Sequence, residues 1–286
     1  MSCSGCVTLN DQPRKGVEPF DQLVASMEKW SRVLDPKWIL VFGGEPLMHP
    51  RYKDICREIR RLWPNVRISI PTNALLLNNA ADAQWLEEIK PVEIRVSYHR
   101  KDSGEHWFKH NIKHFMSVFT GWKPNTEEAL HPSTFTNLMS FNQSYNGVSI
   151  GVVEMGKFIR PYDVDNDGVR QPYNNNPEEA FEHCVSPQNV YLYKDQLWKC
   201  LPYPNLKDTQ SNFEQRWPQY KPYSIEDNLD PYFANMQKAE HICSMCPNSR
   251  SIDQQHSIQH SDPANVRILP SIKWIQNTIN KTNTLP

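Results

Sequence analysis

Between residues 17 and 98 the chain alternates amphipathic segments with short apolar runs, at a repeat of about 28 residues, and this alternation limits the possible folds most. Residues 17–34 predict a helix, with Phe20, Leu23, Val24, Met27, Trp30 and Val33 at helical spacing and Pro19 near the start. Residues 38–42 are apolar throughout, as in a buried parallel strand, and stop at Gly43-Gly44-Glu45-Pro46. Residues 50–63 predict a second helix through Tyr52, Ile55, Ile59 and Leu62. Residues 66–70 predict a strand ending in Pro71-Thr72-Asn73, and 79–90 a helix through Trp85, Leu86 and Ile89. Residues 92–97 predict a third strand, with a helix expected near 104–119. Strands alternating with helices in this way build βαβ units, hence an α/β fold with a parallel sheet and helices outside it, close to a TIM-type barrel. In such sheets chemistry collects at the C-terminal strand ends. Here those ends carry Gly43 to Pro46, Thr72 with Asn73, and Ser97 with His99, which points to one shared mouth.

Beyond residue 121 the periodicity weakens. Residues 121–147 are rich in Asn, Ser, Thr and Pro; 148–155 predict a strand, and 158–162 a continuation of the sheet. The polar stretch 163–180 reads as a boundary. Residues 190–200 predict a hairpin turning at Lys194-Asp195, bracketed by Cys184 and Cys200. A helix is expected near 270–279. The 286 residues carry 31 basic and 32 acidic side chains, so no global field draws the chain to nucleic acid or anionic lipid. The longest apolar run is far short of the ~20 residues a membrane-spanning helix needs. The first residues lack the basic and apolar regions of a signal peptide, so a cytoplasmic protein without membrane or nucleic-acid partners is expected.

The seven cysteines are Cys3, Cys6, Cys56, Cys184, Cys200, Cys243 and Cys246. An odd number fits a disulfide framework poorly, whereas two C-x2-C pairs fit metal or cluster binding in a reducing compartment. Such a pair brings two thiolates to one centre, and four thiolates close either a zinc or an iron–sulfur site. Spacing does not choose between the two. Cys56, inside a helical pattern, reads as a small core residue.

Taken together, Cys3-x2-Cys6 and Gly43-Gly44-Glu45-Pro46 resemble the radical SAM superfamily. Its GGEP motif closes the second barrel strand, and its C-x3-C-x2-C loop lies upstream. The resemblance covers about residues 1–160 and implies a partial (β/α)6 TIM-like barrel. It implies a 4Fe-4S cluster with Cys3 and Cys6 among its ligands, and S-adenosylmethionine held by Gly43, Gly44, Glu45 and Pro46, with Thr72, Asn73 and Ser97 lining the pocket. In that family the cluster cleaves the cofactor to a 5′-deoxyadenosyl radical, which abstracts hydrogen from substrate. The first cysteine of the motif and the first barrel strand would precede Met1, so an N-terminal truncation is expected, with an inactive relative as the other reading. Cys184, Cys200 and Cys243-x2-Cys246 are similar to the twitch domain, the shortened relative of SPASM, which implies an auxiliary 4Fe-4S cluster. The family's hairpin glycine falls at Asp195, a departure from the pattern.

The expected organisation is therefore a core at 1–165, a small cysteine-rich twitch-like domain at 166–255 and a tail at 256–286. The expected activity is oxidation or peptide modification of a small-molecule or peptide substrate, with an electron donor such as flavodoxin or ferredoxin. No catalytic side chain is assigned. The alternative is a non-catalytic zinc-binding interaction module. Asp163-x-Asp165-x-Asp167-Gly168 imitates half of an EF-hand, but Asn174 replaces the closing Glu, so a polar turn is expected. His106, His110 and His114 share one helix face and read as packed or solvated. His99 and Arg160 are weaker candidates for substrate contact. The aromatics of 191–235 are expected to pack a core.

Overall fold

The computed structural model describes residues 2–3, 17–72, 76, 80–98, 141–145, 147–154, 161–184, 187, 189–248, 258–259 and 271–275. It opens on a two-residue strand, β1 (Ser2–Cys3), paired antiparallel with a later strand at Ile258–Gln259. Two compact units follow, one built on Glu18–Gly156 and the other on Lys157–Arg267 with Met1–Val17 and Ser271–Ile279.

The first unit runs α1 (Phe20–Trp30), β2 (Trp38–Phe42), α2 (Tyr52–Leu62), β3 (Arg67–Thr72), α3 (Ala80–Ile89), β4 (Val92–Tyr98), β5 (Phe141–Tyr145) and β6 (Val148–Glu154). Strands β2, β3, β4 and β6 are parallel neighbours in that order, with β5 antiparallel at the edge beside β6. The fold is thus α/β with a four-strand parallel sheet, and the expected elements lie within a few residues of their places. In α1, Asp21 opens the helix and Lys29 closes it, matching the helix dipole, while Leu23, Met27 and Trp30 are buried along one stripe. Helix α2 buries Ile55, Cys56 and Ile59 and packs beside both α1 and α3.

The register gives the sheet two unlike faces. Ile39 pairs with Ile68, Ile68 with Val92 and Ile70 with Ile94, and these residues with Val41 and Val96 are at most 2% exposed. At roughly 1.5–3 kcal/mol for each large aliphatic side chain, this face drives the unit's folding. The alternate positions carry Arg67, Ser69, Glu93, Arg95, Ser97 and Ser149. Ser69 and Glu93 are nevertheless buried, and Ser69 Oγ donates to Glu93 Oε2 at 3.1 Å.

Several features differ from the sequence expectations. Strand β5 was not anticipated, although Asn146-Gly147 is a strong hairpin signal. Gly147 has φ +81°, which glycine adopts without steric cost. The helix expected near 270–279 is contradicted: Ser271–Ile275 is a strand, β12, antiparallel to the strand Asn189–Tyr193 of the second unit, β9. Its Ser-Ile-Lys-Trp-Ile sequence is rich in β-branched and aromatic residues, and cross-strand pairing outweighs a weak helical periodicity. Of the strand expected at 158–162, only Pro161 and Tyr162 are described, and they form a bend. The helix near 104–119, His99, His106, His110, His114 and Arg160 lie outside the described residues.

The second unit runs β7 (Asp163–Val164), β8 (Arg170–Gln171), α4 (Pro177–Glu182), β9 (Asn189–Tyr193), β10 (Gln196–Trp198), α5 (Pro202–Thr209), α6 (Phe213–Arg216), α7 (Asp230–Asn235), β11 (Ile258–Gln259) and β12. The EF-hand-like stretch is the tight β7–β8 turn. Asp165 Oδ1 accepts from the backbone N–H groups of Asp167 and Val169, and Gly168 takes φ +77°. Strands β9 and β10 form the expected hairpin, with Tyr193 opposite Gln196. Lys194 and Asp195 turn it with φ 49° and 59°, so an aspartate, which tolerates the left-handed region, stands where the resembled family uses glycine. The aromatics do pack a core: Tyr203 meets Phe213 edge-on at 4.9 Å, and Phe213 stacks on Trp217 at 5.8 Å. Tyr203 Oη also donates to the Pro218 carbonyl at 2.8 Å.

One arginine staples the first unit. Arg60 donates to the carbonyl of Ile89 from Nε (3.0 Å) and Nη2 (2.7 Å), to Pro91 from Nη2 (3.0 Å), and to Pro64 from Nη1 (2.7 Å). It thereby satisfies the end of α3, whose last carbonyls have no partner within the helix. Arg60→Lys keeps the charge and loses the fork. We expect a loss of about 1–3 kcal/mol in urea denaturation; a variant as stable as the parent contradicts the staple.

Candidate functional site

Four of the cysteines gather in the second unit, and the local sequence explains how. Asn176 caps α4 by accepting from Glu179 N–H at 3.1 Å, with Pro177 in the first turn, and Cys184 follows the helix with its N–H on the Phe181 carbonyl. Cys200 follows β10. Cys243 lies in a 3-10 turn, His241–Met245, and Cys246 directly after it, with Cys246 N–H on the Cys243 carbonyl at 3.1 Å.

These three pieces are tied to one another. Tyr173 N–H donates to the Met245 carbonyl (3.2 Å), Asn175 N–H to Ser244 (3.0 Å) and Asn175 Nδ2 to Cys246 (2.9 Å). The segment entering α4 therefore straps the C-x2-C turn. From the other side Lys199, beside Cys200, donates Nζ to the carbonyls of Asn235 (2.6 Å) and Lys238 (2.7 Å) and pairs with Glu240 (3.0 Å). Glu240 in turn accepts Cys243 N–H on its carbonyl at 2.8 Å. The Lys199 side chain is 8% exposed, so this ammonium is a buried charge that is fully paired.

The thiols sense one another. Burial is the largest cause holding Cys200 well above the ordinary thiol range, followed by the charge of Cys246, with smaller contributions from Cys184 and Cys243. Burial, then Cys184 and Cys243, push Cys246 up to about 12. Cys243 is also raised by burial, although a hydrogen bond from the Glu240 backbone and the charge of Lys199 pull it down. By exposed area each of the four cysteines is intermediate, so the set is not sealed from solvent. Burial and the neighbouring sulfurs thus favour the protonated thiols at Cys200, Cys243 and Cys246. A cation would reverse the balance, since a coordinating thiol is deprotonated outright. An all-sulfur donor set suits zinc or an iron–sulfur cluster. Among the described residues no group of three or more His, Cys, Asp or Glu side chains is arranged around a single ion as it stands. The fit is therefore one of donor chemistry. Cys56 behaves differently: it is 1% exposed inside α2, and burial drives its thiol far up, as expected of an inert core residue.

The glycine–carboxylate corner lies in the first unit, at the end of β2. Gly43 is buried and Gly44 half-buried. Glu45 is 7% exposed and caps the 3-10 turn Pro46–Met48, its Oε1 accepting from Leu47 N–H at 3.3 Å. The same oxygen accepts from Thr72 Oγ1 at 2.7 Å, and Thr72 is the last residue of β3. Two adjacent strand ends therefore converge on one buried carboxylate, which is held in a fixed rotamer as an acceptor. Ser97 sits half-buried near the end of β4. Asn73 and Cys6 lie outside the described residues, and of Cys3 the structure describes only the pairing of its backbone with Ile258.

Sequence reasoning missed the residues that position these groups. Asn175 and Lys199 carry no motif, although a lysine directly beside a ligand-type cysteine is a visible signal. His49 carries no motif either. It is 2% exposed, its Nδ1 accepts Arg51 N–H at 3.0 Å, and its Nε2 therefore donates to the Glu18 carbonyl at 3.2 Å.

No protein-family model matches the chain, and no curated protein matches it.

Desolvation, with a smaller contribution from the Arg51 charge, holds His49 below its usual 6.5, against the opposing pull of the Glu18 carbonyl. The fold thus prefers the neutral ring. Its contribution to stability is complete above pH ~6.5 and falls away as pH drops toward the lower folded value. Between pH 7.5 and 5 the parent is expected to lose more stability in urea than His49→Gln; equal losses contradict this role.

Proposed function

We propose that the chain is a radical SAM enzyme with a twitch-type auxiliary iron–sulfur centre, the sheet forming part of a (β/α)6 barrel. The observation that carries the reading is the gathering of Cys184, Cys200, Cys243 and Cys246 into one strapped, electrostatically coupled sulfur set. The Glu45–Thr72 corner after a Gly-Gly pair supports it from the first unit. When bound, the cluster and S-adenosylmethionine supply reductive cleavage of the cofactor and a radical able to abstract hydrogen. On this reading Cys3 and Cys6 are thiolate ligands, and Gly43, Gly44, Glu45 and Pro46 receive the methionine end of the cofactor. Thr72 fixes the Glu45 carboxylate so that it meets a cationic amine with its lone pairs already oriented. Asn73 and Ser97 line the same pocket. The four later cysteines saturate a second cluster, which then passes an electron rather than gripping substrate. Oxidation or modification of a small-molecule or peptide substrate follows, with an electron from a flavodoxin- or ferredoxin-type donor in a reducing compartment. Among the described residues no helix is long and apolar enough to cross a membrane.

The four-cysteine set also favours a second reading, a zinc-binding interaction module. Anaerobic loading of the full chain with iron and sulfide separates the two. We expect dark protein from the four later cysteines and, once a third thiolate is supplied beside Cys3 and Cys6, release of 5′-deoxyadenosine from S-adenosylmethionine under reduction, at least tenfold slower with Glu45→Gln. Cys243→Ser and Cys246→Ser are expected to lose iron, while Cys56→Ala keeps it. Colourless protein that takes up zinc alone, or release unaffected by Glu45→Gln, contradicts the proposal.

A further inference from the structure

The polar face of the β2-β3-β4-β6 sheet holds an unanswered set of donors. Trp38 opens β2, and its indole Nε1–H is buried with no hydrogen-bond partner; among the described residues it is the only buried side-chain nitrogen or oxygen so placed. Native structures pair more than nine-tenths of their buried polar groups, and an orphaned donor is costly enough to call for an acceptor. Two guanidinium groups lie over the same indole, Arg67 at 5.8 Å and Arg95 at 5.6 Å from the ring centre. They differ in how they are answered. Arg67 pairs with Glu93 at 3.5 Å and donates to Ser149 Oγ at 3.1 Å. Glu93 is 3% exposed and occupied as well by the Ser69 hydroxyl. Arg95 is half-buried and, among the described residues, meets only the Trp38 ring.

The charges on this face can be added up. Among its described side chains are two guanidinium groups and one carboxylate, and the carboxylate belongs to Arg67. One positive charge is left over, at Arg95, beside a donor that lacks an acceptor. A water molecule answers poorly, because it brings no charge and needs two to four polar partners of its own. An oxyanion is all acceptor, and its planar or tetrahedral oxygens match the guanidinium fork.

We propose that Trp38 and Arg95 form a binding site for a singly charged oxyanion, the carboxylate or phosphoryl group of a ligand, on the polar face of this sheet. Arg95 supplies the charge and a two-point grip, and the Trp38 indole N–H supplies a third hydrogen bond. The Arg67–Glu93–Ser69 group closes the site on one side and keeps Arg67 from competing. Ser97, two residues beyond Arg95 on β4, continues the same face toward the C-terminal strand end. The site stands on the first unit alone and is independent of the reading of the cysteines.

The test follows the indole itself. In the full chain labelled with 15N-tryptophan, the Trp38 indole resonance is identified among the nine tryptophans by its absence in Trp38→Phe. The chain is then titrated with sodium acetate and, separately, with inorganic phosphate, each against sodium chloride at equal ionic strength. We expect a saturable downfield shift of that one resonance. Acetate alone identifies a carboxylate site, phosphate alone a phosphoryl site, and either supports the proposal. Arg95→Met is expected to weaken binding at least tenfold, and Arg95→Lys, which keeps the charge without the fork, to weaken it less. Trp38→Phe, which deletes the orphaned donor, is expected to melt no lower than the parent without anion and to gain less on adding it. No saturable shift with either anion, the same shift with chloride, or undiminished binding by Arg95→Met overturns the proposal.

Discussion

The backbone that carries Cys184, Cys200, Cys243 and Cys246 is held from several directions by hydrogen bonds and an ion pair, and the second unit is organised around that arrangement. The Asn175 strap fixes the C-x2-C turn from the α4 side, and the Lys199 ammonium fixes it from the Cys200 side. Both consist of charged or amide groups donating to backbone carbonyls, which set position more sharply than packing does. The buried lysine has a second effect. Its positive charge lowers the proton affinity of Cys243, and so favours the thiolate that a metal centre needs.

The first unit obeys a different constraint, the register of its parallel strands. Because side chains alternate, a single register sends Ile68, Ile70, Val92, Ile94 and Val96 toward one side and Arg67, Ser69, Glu93 and Arg95 toward the other. The apolar side provides the folding free energy. The polar side costs free energy unless each charge is answered; Arg67 and Glu93 answer each other, whereas among the described residues the Trp38 indole N–H has no acceptor. The Glu45–Thr72 contact belongs to the same logic, since it places an oriented carboxylate where two strands end, which is where α/β proteins put their chemistry.

Much of this could be read in the residues beforehand. The run from α1 to β4 followed from helical and apolar periodicity, and the β9–β10 hairpin from its flanking apolar residues and turn. The four later cysteines stood out by spacing, and Thr72 by its place at a strand end. What escaped reading had physical reasons. In β3 and β4 the apolar positions alone define the strand pattern, and the alternate residues, Arg-x-Ser and Glu-x-Arg-x-Ser, match no motif. Residues 271–275 were expected to be helical because short apolar spacing is ambiguous, and pairing with β9 decides it. Asn175 and Lys199 act through backbone carbonyls distant in sequence, and such contacts leave no local signature.

The central claim is that Cys184, Cys200, Cys243 and Cys246 are the ligands of one iron–sulfur centre. X-ray absorption at the iron and zinc edges of the anaerobically loaded full chain tests it most directly. The account predicts iron in a shell of sulfur with a second iron close by, and its loss from this centre when Cys246 is replaced by serine. A zinc edge alone, or iron bound by oxygen and nitrogen, would contradict it.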